Sequence, residues 1–102
     1  MNEKDLIKII NIADHYGERK QVIKSIEEYA ELIQVLVKYS LIKNKDYDDQ
    51  APGLIARIKE EIADTYIMTA QLVYLLSLDM GHIEELIDRK LDRQLERIAN
   101  EH

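Results

Sequence analysis

The sequence contains no cysteine. That absence removes disulfides, thiolate zinc sites and cysteine nucleophiles together, and it fits a reducing interior. Helix breakers are nearly as scarce, with three glycines and one proline in 102 residues. A chain of that kind, 33% charged and 46% hydrophobic, favours helices over a sheet or a disordered tail. Basic clusters are missing too. Lys and Arg number 14 against 20 Asp and Glu, a net charge of -6, and no basic stripe compensates, so a nucleic-acid backbone is not the expected partner. No apolar run approaches the roughly 20 residues needed to cross a bilayer, so no membrane is expected either. The first residues, MNEKDLIKII, are acidic and amphipathic and lack the short apolar core and small-residue cleavage site of a signal peptide. These absences predict a cytoplasmic protein.

What is present is helical periodicity. Leu6, Ile7, Ile10 and Ala13 predict a first helix over Lys4 to Tyr16, with Gly17 where a C-terminal cap belongs. His15, with no His or acid at i, i+4, reads as a helix-end residue. A second helix is expected from Glu18 to about Lys43. The stretch Asn44 to Gly53, NKDYDDQAPG, holds the only proline and reads as a loop. Its Asp46, Asp48 and Asp49 lack the alternation, central glycine and closing glutamate of a calcium loop, so a solvated acidic loop is expected. A third helix should run from Leu54 to Leu78, broken by Asp79-Met80-Gly81. A fourth, His82 to Asn100, shows an apolar face at Ile83, Leu86, Ile87, Leu91, Leu95 and Ile98. Four helices in one domain, residues 1–102, describe an all-α four-helix bundle. At this size it buries only a modest core, so completion by oligomerisation would help it.

The third helix organises the rest. It is apolar on nearly every side, yet Glu61 falls on one stripe with Leu54, Met68, Leu72 and Leu75, and Asp64 lies one turn on. The second helix repeats the arrangement. Its main apolar face is Val22, Ile26, Tyr29, Ala30, Ile33, Leu36 and Val37, while Glu28 lies on a second line with Gln21, Leu32, Val35 and Tyr39, and Glu31 stands one turn along. Residues three apart on a helix are neighbours, so each acid pair can hold a cation from one side. If the two helices pack antiparallel in register, four carboxylates converge, and such a cluster wants a metal. Oxygen-only ligands select hard cations, Mg²⁺ or Mn²⁺. A di-iron bundle needs Glu-x-x-His pairs, and the nearest match, Asp79-x-x-His82, has the wrong acid. Glu27 and Glu60 fall with polar neighbours and read as solvated charges.

The pairs Glu27-Glu28-Tyr29-Ala30-Glu31 and Glu61-Ile62-Ala63-Asp64, on successive apolar helices, resemble the EExxE and ExxD signature of the MazG-type, all-α nucleoside triphosphate pyrophosphohydrolases. The resemblance covers roughly Gln21 to Arg97. It implies a MazG-like bundle, a homodimer or homotetramer, with magnesium on Glu28, Glu31, Glu61 and Asp64. It also implies phosphate contacts from a downstream Lys, Asn and Arg, whose places are taken by Lys90, Gln94 and Arg97. Glutamine for asparagine at position 94 is a departure, as is the long connection between the acid pairs. From the residues alone, Lys90 can equally lay its stem on the core and lift its ammonium into water. Gln21 and Ser25 are candidates for the nucleotide side, or surface polar residues at the start of a helix. Tyr29, Tyr39, Tyr66 and Tyr74 read as core.

The implied activity is hydrolysis of a nucleoside triphosphate between its α and β phosphates, giving a monophosphate and pyrophosphate in nucleotide-pool sanitation. The acids would be the catalytic as well as the metal-binding groups. A phosphoribosyl-ATP pyrophosphohydrolase shares the superfamily's acid motifs. A non-catalytic helical interaction protein on the same fold is the alternative of another class.

Overall fold

The computed structural model describes residues 1–101, which form helices and no strand. In chain order these are α1 (Glu3–Tyr16), α2 (Glu18–Ser40), a 3₁₀ turn (Asn44–Asp46), α3 (Tyr47–Leu75) and α4 (Met80–Ala99). No helix among the described residues is long and apolar enough to cross a membrane.

Local chemistry sets the ends. Asn2 caps α1 by accepting the Asp5 N–H at 2.8 Å, and Glu3 and Asp5 complement the positive end of the helix dipole. Gly17 closes α1 as expected, its N–H donating to the Ala13 carbonyl. Its φ of 85° with ψ of 166° lies in a region essentially reserved for glycine, and α2 starts at the very next residue. At the other end of the chain, Ser77 takes a left-handed φ of 51°. The Leu78 N–H bonds to the Val73 carbonyl at 2.9 Å and the Ser77 N–H to the Tyr74 carbonyl at 3.2 Å, which is a Schellman closure of α3. Asp79 then caps α4 by accepting the His82 N–H.

The expected loop over Asn44 to Gly53 is only a short turn. From Tyr47 onward the chain is already α3, and Pro52 lies inside the helix. Asp48 and Asp49 occupy its first turn, where carboxylates are favoured by the dipole, and Ala51 is buried against the fold. Packing and dipole here outweigh one missing N–H.

Helices α2 and α3 run antiparallel and carry the main packing, as the pairs Gln21–Gln71, Tyr29–Thr69 and Tyr39–Tyr47 show by their opposed numbering. Helix α1 lies against both, tied to α3 by the Tyr74 hydroxyl donating to Asp14 at 2.7 Å. The stripe expected on α3 does turn inward, with Met68 buried and Leu54, Glu61, Leu72 and Leu75 half-buried. On α2 the line that turns inward is the mixed one, Gln21, Ser25, Glu28 and Val35. Its purely apolar face points out instead. Of the polar residues on that line only Gln21 finds a partner on α3, donating to Gln71 Oε1; Ser25 and Thr65 donate to carbonyls of their own helices, and Glu28 faces Glu61. Tyr29 and Tyr39 are half-buried, but Tyr66 and Tyr74, expected in the core, are exposed.

The four helices do not close into one bundle. Helix α4 makes almost no contact with the other three, and none of its residues is buried. The radius of gyration, 17.4 Å, exceeds the roughly 13 Å of a compact chain of this length. The accessible surface is 8251 Å², where a compact 12.0 kDa protein exposes about 6,000 Å².

Candidate metal centre

Antiparallel packing brings Glu61 of α3 to Glu28 and Glu31 of α2, three of the four acids expected to converge. One carboxylate oxygen from each of Glu28, Glu31 and Glu61 lies within 4.8 Å of the others. Glu28 is 9% exposed, Glu61 half-buried and Glu31 exposed, so the group is rooted in the α2–α3 interface and opens at one side. Asp64 is outside this triad. It lies along the same cleft as Glu28, exposed, one turn on from Glu61.

The inner oxygens lack donors. Glu28 Oε2 and Glu61 Oε2 are both shielded from solvent without a hydrogen-bond partner. Buried carboxylate oxygens in that state are costly, and an unpaired pair at one spot calls for a counter-ion. Among the described residues the cation paired with these acids is Lys24, whose Nζ lies 3.2 Å from the outer oxygen of Glu28, Oε1, and 3.7 Å from Glu27, while the Arg57 charge reaches Glu61 without forming an ion pair. Lys24 leaves the inner oxygens unserved. The crowding shows in proton affinity. Loss of solvent, then the charges of Glu31 and Glu28, raise the Glu61 carboxyl above its ordinary value. Loss of solvent and then the Glu28 charge do the same to Asp64, while its hydrogen bond to Glu28 raises Lys24. Three carboxylates grouped within 4.8 Å, two of which carry an orphaned oxygen, fit a hard divalent cation.

Beside the acids runs a cleft of about 440 Å³. It is lined by Glu28 and Asp64, by Lys20 and Lys24, by the buried amides Gln21 and Gln71, and by Ile12 and Tyr16 of α1. Gln21 was a candidate for the nucleotide side, and the structure places it in this cleft, 5% exposed, donating to Gln71 Oε1 at 2.8 Å. Ser25 is buried and donates to the Val22 carbonyl of its own helix, so it is neither a surface residue nor part of the cleft lining.

Lys90, Gln94 and Arg97 are not brought to the acids within the chain. All three are exposed on α4, which does not pack on α2 or α3, so Lys90 has no core of its own chain to lie on either. Sequence reasoning missed the cations that do reach the cleft. Lys24 could have been found, since it stands at i, i+3 and i, i+4 to Glu27 and Glu28. Tyr16 and Ile12 gave no signal, because only the fold brings α1 to this cleft. Comparison with known protein families, with curated proteins and with solved structures returned no match.

Proposed function

We propose that the chain is a Mg²⁺-dependent nucleoside triphosphate pyrophosphohydrolase of the MazG type, with Mn²⁺ as a substitute metal, working in the cytosol on the nucleotide pool. The observation that carries this reading is the triad of Glu28, Glu31 and Glu61, with two shielded oxygens that no protein donor satisfies. The adjoining cleft supports it. Carboxylates alone would repel a polyphosphate, but Lys20 and Lys24 line the same space and offer positive charge to it. The cleft's volume, with Tyr16 and the amides of Gln21 and Gln71 in its lining, suits a nucleoside.

Glu28, Glu31 and Glu61 hold the cation, and Asp64 approaches from the cleft side. A cation held there would supply Lewis acidity toward the phosphate oxygens and the attacking water. Lys24, already charged beside Glu28, meets the negative charge that accumulates on the leaving pyrophosphate. Asp64, with its raised proton affinity and its place in the cleft, is suited to take the proton of the water. No nucleophilic side chain is needed. The reading includes self-association as a homodimer or homotetramer.

The test is pyrophosphate release from a panel of standard, deoxy and modified nucleoside triphosphates, with and without Mg²⁺, beside Glu61→Gln. Metal-dependent release that the variant loses is the expected outcome. Equal release by the variant would remove the site. The exposed apolar faces favour a second reading, a non-catalytic interaction module, and a folded protein silent across the panel, with no metal-linked response to nucleotide, would establish it.

A further inference from the structure

Two apolar stripes of this chain have nothing to cover them. One is the outer face of α2, where Ile26, Ile33 and Val37 are 62%, 60% and 50% exposed. The other is the face of α4, where Leu91, Leu95 and Ile98 are 57%, 65% and 60% exposed. The two helices do not pack on each other. Nor does a loose linker join α4 to the rest: the α3–α4 turn is closed by the Schellman bonds of Ser77 and Leu78 and by the Asp79 cap, so α4 leaves at a built angle. Folding it back onto its own α2 would mean breaking that turn.

We infer that α4 is an exchange arm, and that its Leu91–Leu95–Ile98 stripe packs on the outer face of α2 in a second copy of this chain, reciprocally, about a twofold axis. The surface area argues for a second copy. One chain exposes about 2,000 Å² more than a compact protein of its mass. That excess is the area each partner of an obligate dimer buries, well above the roughly 800 Å² of a standard interface. Reciprocity argues for α2 against α4. Pairing α2 with α2 leaves both arms bare, and pairing α4 with α4 leaves both outer faces bare. One twofold operation that sets each arm on the other chain's α2 covers all four stripes at once. Their lengths match: Ile26 to Val37 and Ile87 to Ile98 each span about 17 Å at the helical rise.

The inference deepens the self-association of the proposed reading but not its chemistry, so its test reads mass and proximity, never turnover. The natural lack of cysteine makes engineered thiols unambiguous. Light scattering of the full chain should give at least twice the 12.0 kDa of one chain. The paired Leu91→Glu and Leu95→Glu substitutions should halve that mass with helicity retained. Ile26→Cys, Ile33→Cys and Val37→Cys would each be mixed with Leu91→Cys, exchanged and oxidised. A disulfide-linked dimer in a mixture, absent from each variant alone, is the expected result. Self-cross-linking of Leu91→Cys alone, or of the α2 variants alone, would replace the inference with α4–α4 or α2–α2 pairing. A single-chain mass at all concentrations, or no mixed cross-link in any of the three pairings, would overturn it.

Discussion

The amide pair that joins α2 to α3 offers a measurable test of how the interface around the cleft is held. Gln21 and Gln71 are 5% and 2% exposed, and their one mutual bond is 2.8 Å. Beyond it, Gln71 has only a weak 3.8 Å contact from its Nε2 to the Met68 sulfur. Replacing Gln71 by methionine, an unbranched apolar side chain of similar reach, leaves the Gln21 amide without its acceptor. Stranding a buried polar group costs about 1–3 kcal/mol. Both residues line the cleft, where water can relieve part of the loss, so the lower half of that range, about 1–2 kcal/mol, is expected. Gln21→Met should cost a similar amount. The double variant removes both polar groups and should return to within about 1 kcal/mol of the parent, because swapping a whole hydrogen-bonded pair for apolar groups is nearly neutral. Urea unfolding of the four proteins at one fixed concentration gives the cycle. Losses that simply add in the double variant would refute the reasoning, since the two amides would then not act as a pair.

The two helix ends with positive φ should respond in opposite directions. Gly17→Ala should destabilise by about 1–3 kcal/mol from backbone strain alone, since no atom crowds an added Cβ there. Ser77→Gly should stabilise by roughly 0.5–1 kcal/mol, because glycine takes the left-handed position that serine occupies at a cost, and thermal melts read both changes. The metal-free protein should lose stability as pH rises from the ordinary carboxylate range near 4, because folding raises the Glu61 and Asp64 values. The folded state then binds those protons more tightly than the unfolded state, so the stabilisation is complete below the unfolded values and lost as pH climbs through the raised ones. Melts across pH 4 to about 8 without metal should show the decline, and added Mg²⁺ should offset it.

Much of the centre was legible because helical spacing is local arithmetic. Two i, i+3 acid pairs on two successive apolar helices converge once the helices pack antiparallel, and Glu28, Glu31 and Glu61 do. Gly17 was legible for the same reason: a glycine after a periodic run marks a stop. The facing of α2 was not. That helix carries two usable stripes, and helical spacing alone does not say which of them turns in. The start of α3 was hidden by Pro52, a residue that ordinarily ends a helix but here is outweighed by a favourable first turn and the burial of Ala51. The position of α4 lay beyond reach for a further reason. Amphipathic spacing shows that a helix has a face to cover and leaves open which chain covers it, so the phosphate roles of Lys90, Gln94 and Arg97 could be assigned by resemblance and not placed by geometry.

The central claim is that Glu28, Glu31 and Glu61 hold a divalent cation, and the most direct measurement is Mn²⁺ binding followed by the paramagnetic signal of the free ion. The account predicts saturable binding that Mg²⁺ displaces and that Glu28→Gln abolishes while its helicity stays unchanged. No saturable binding by the folded protein, or equal binding by the variant, would contradict it.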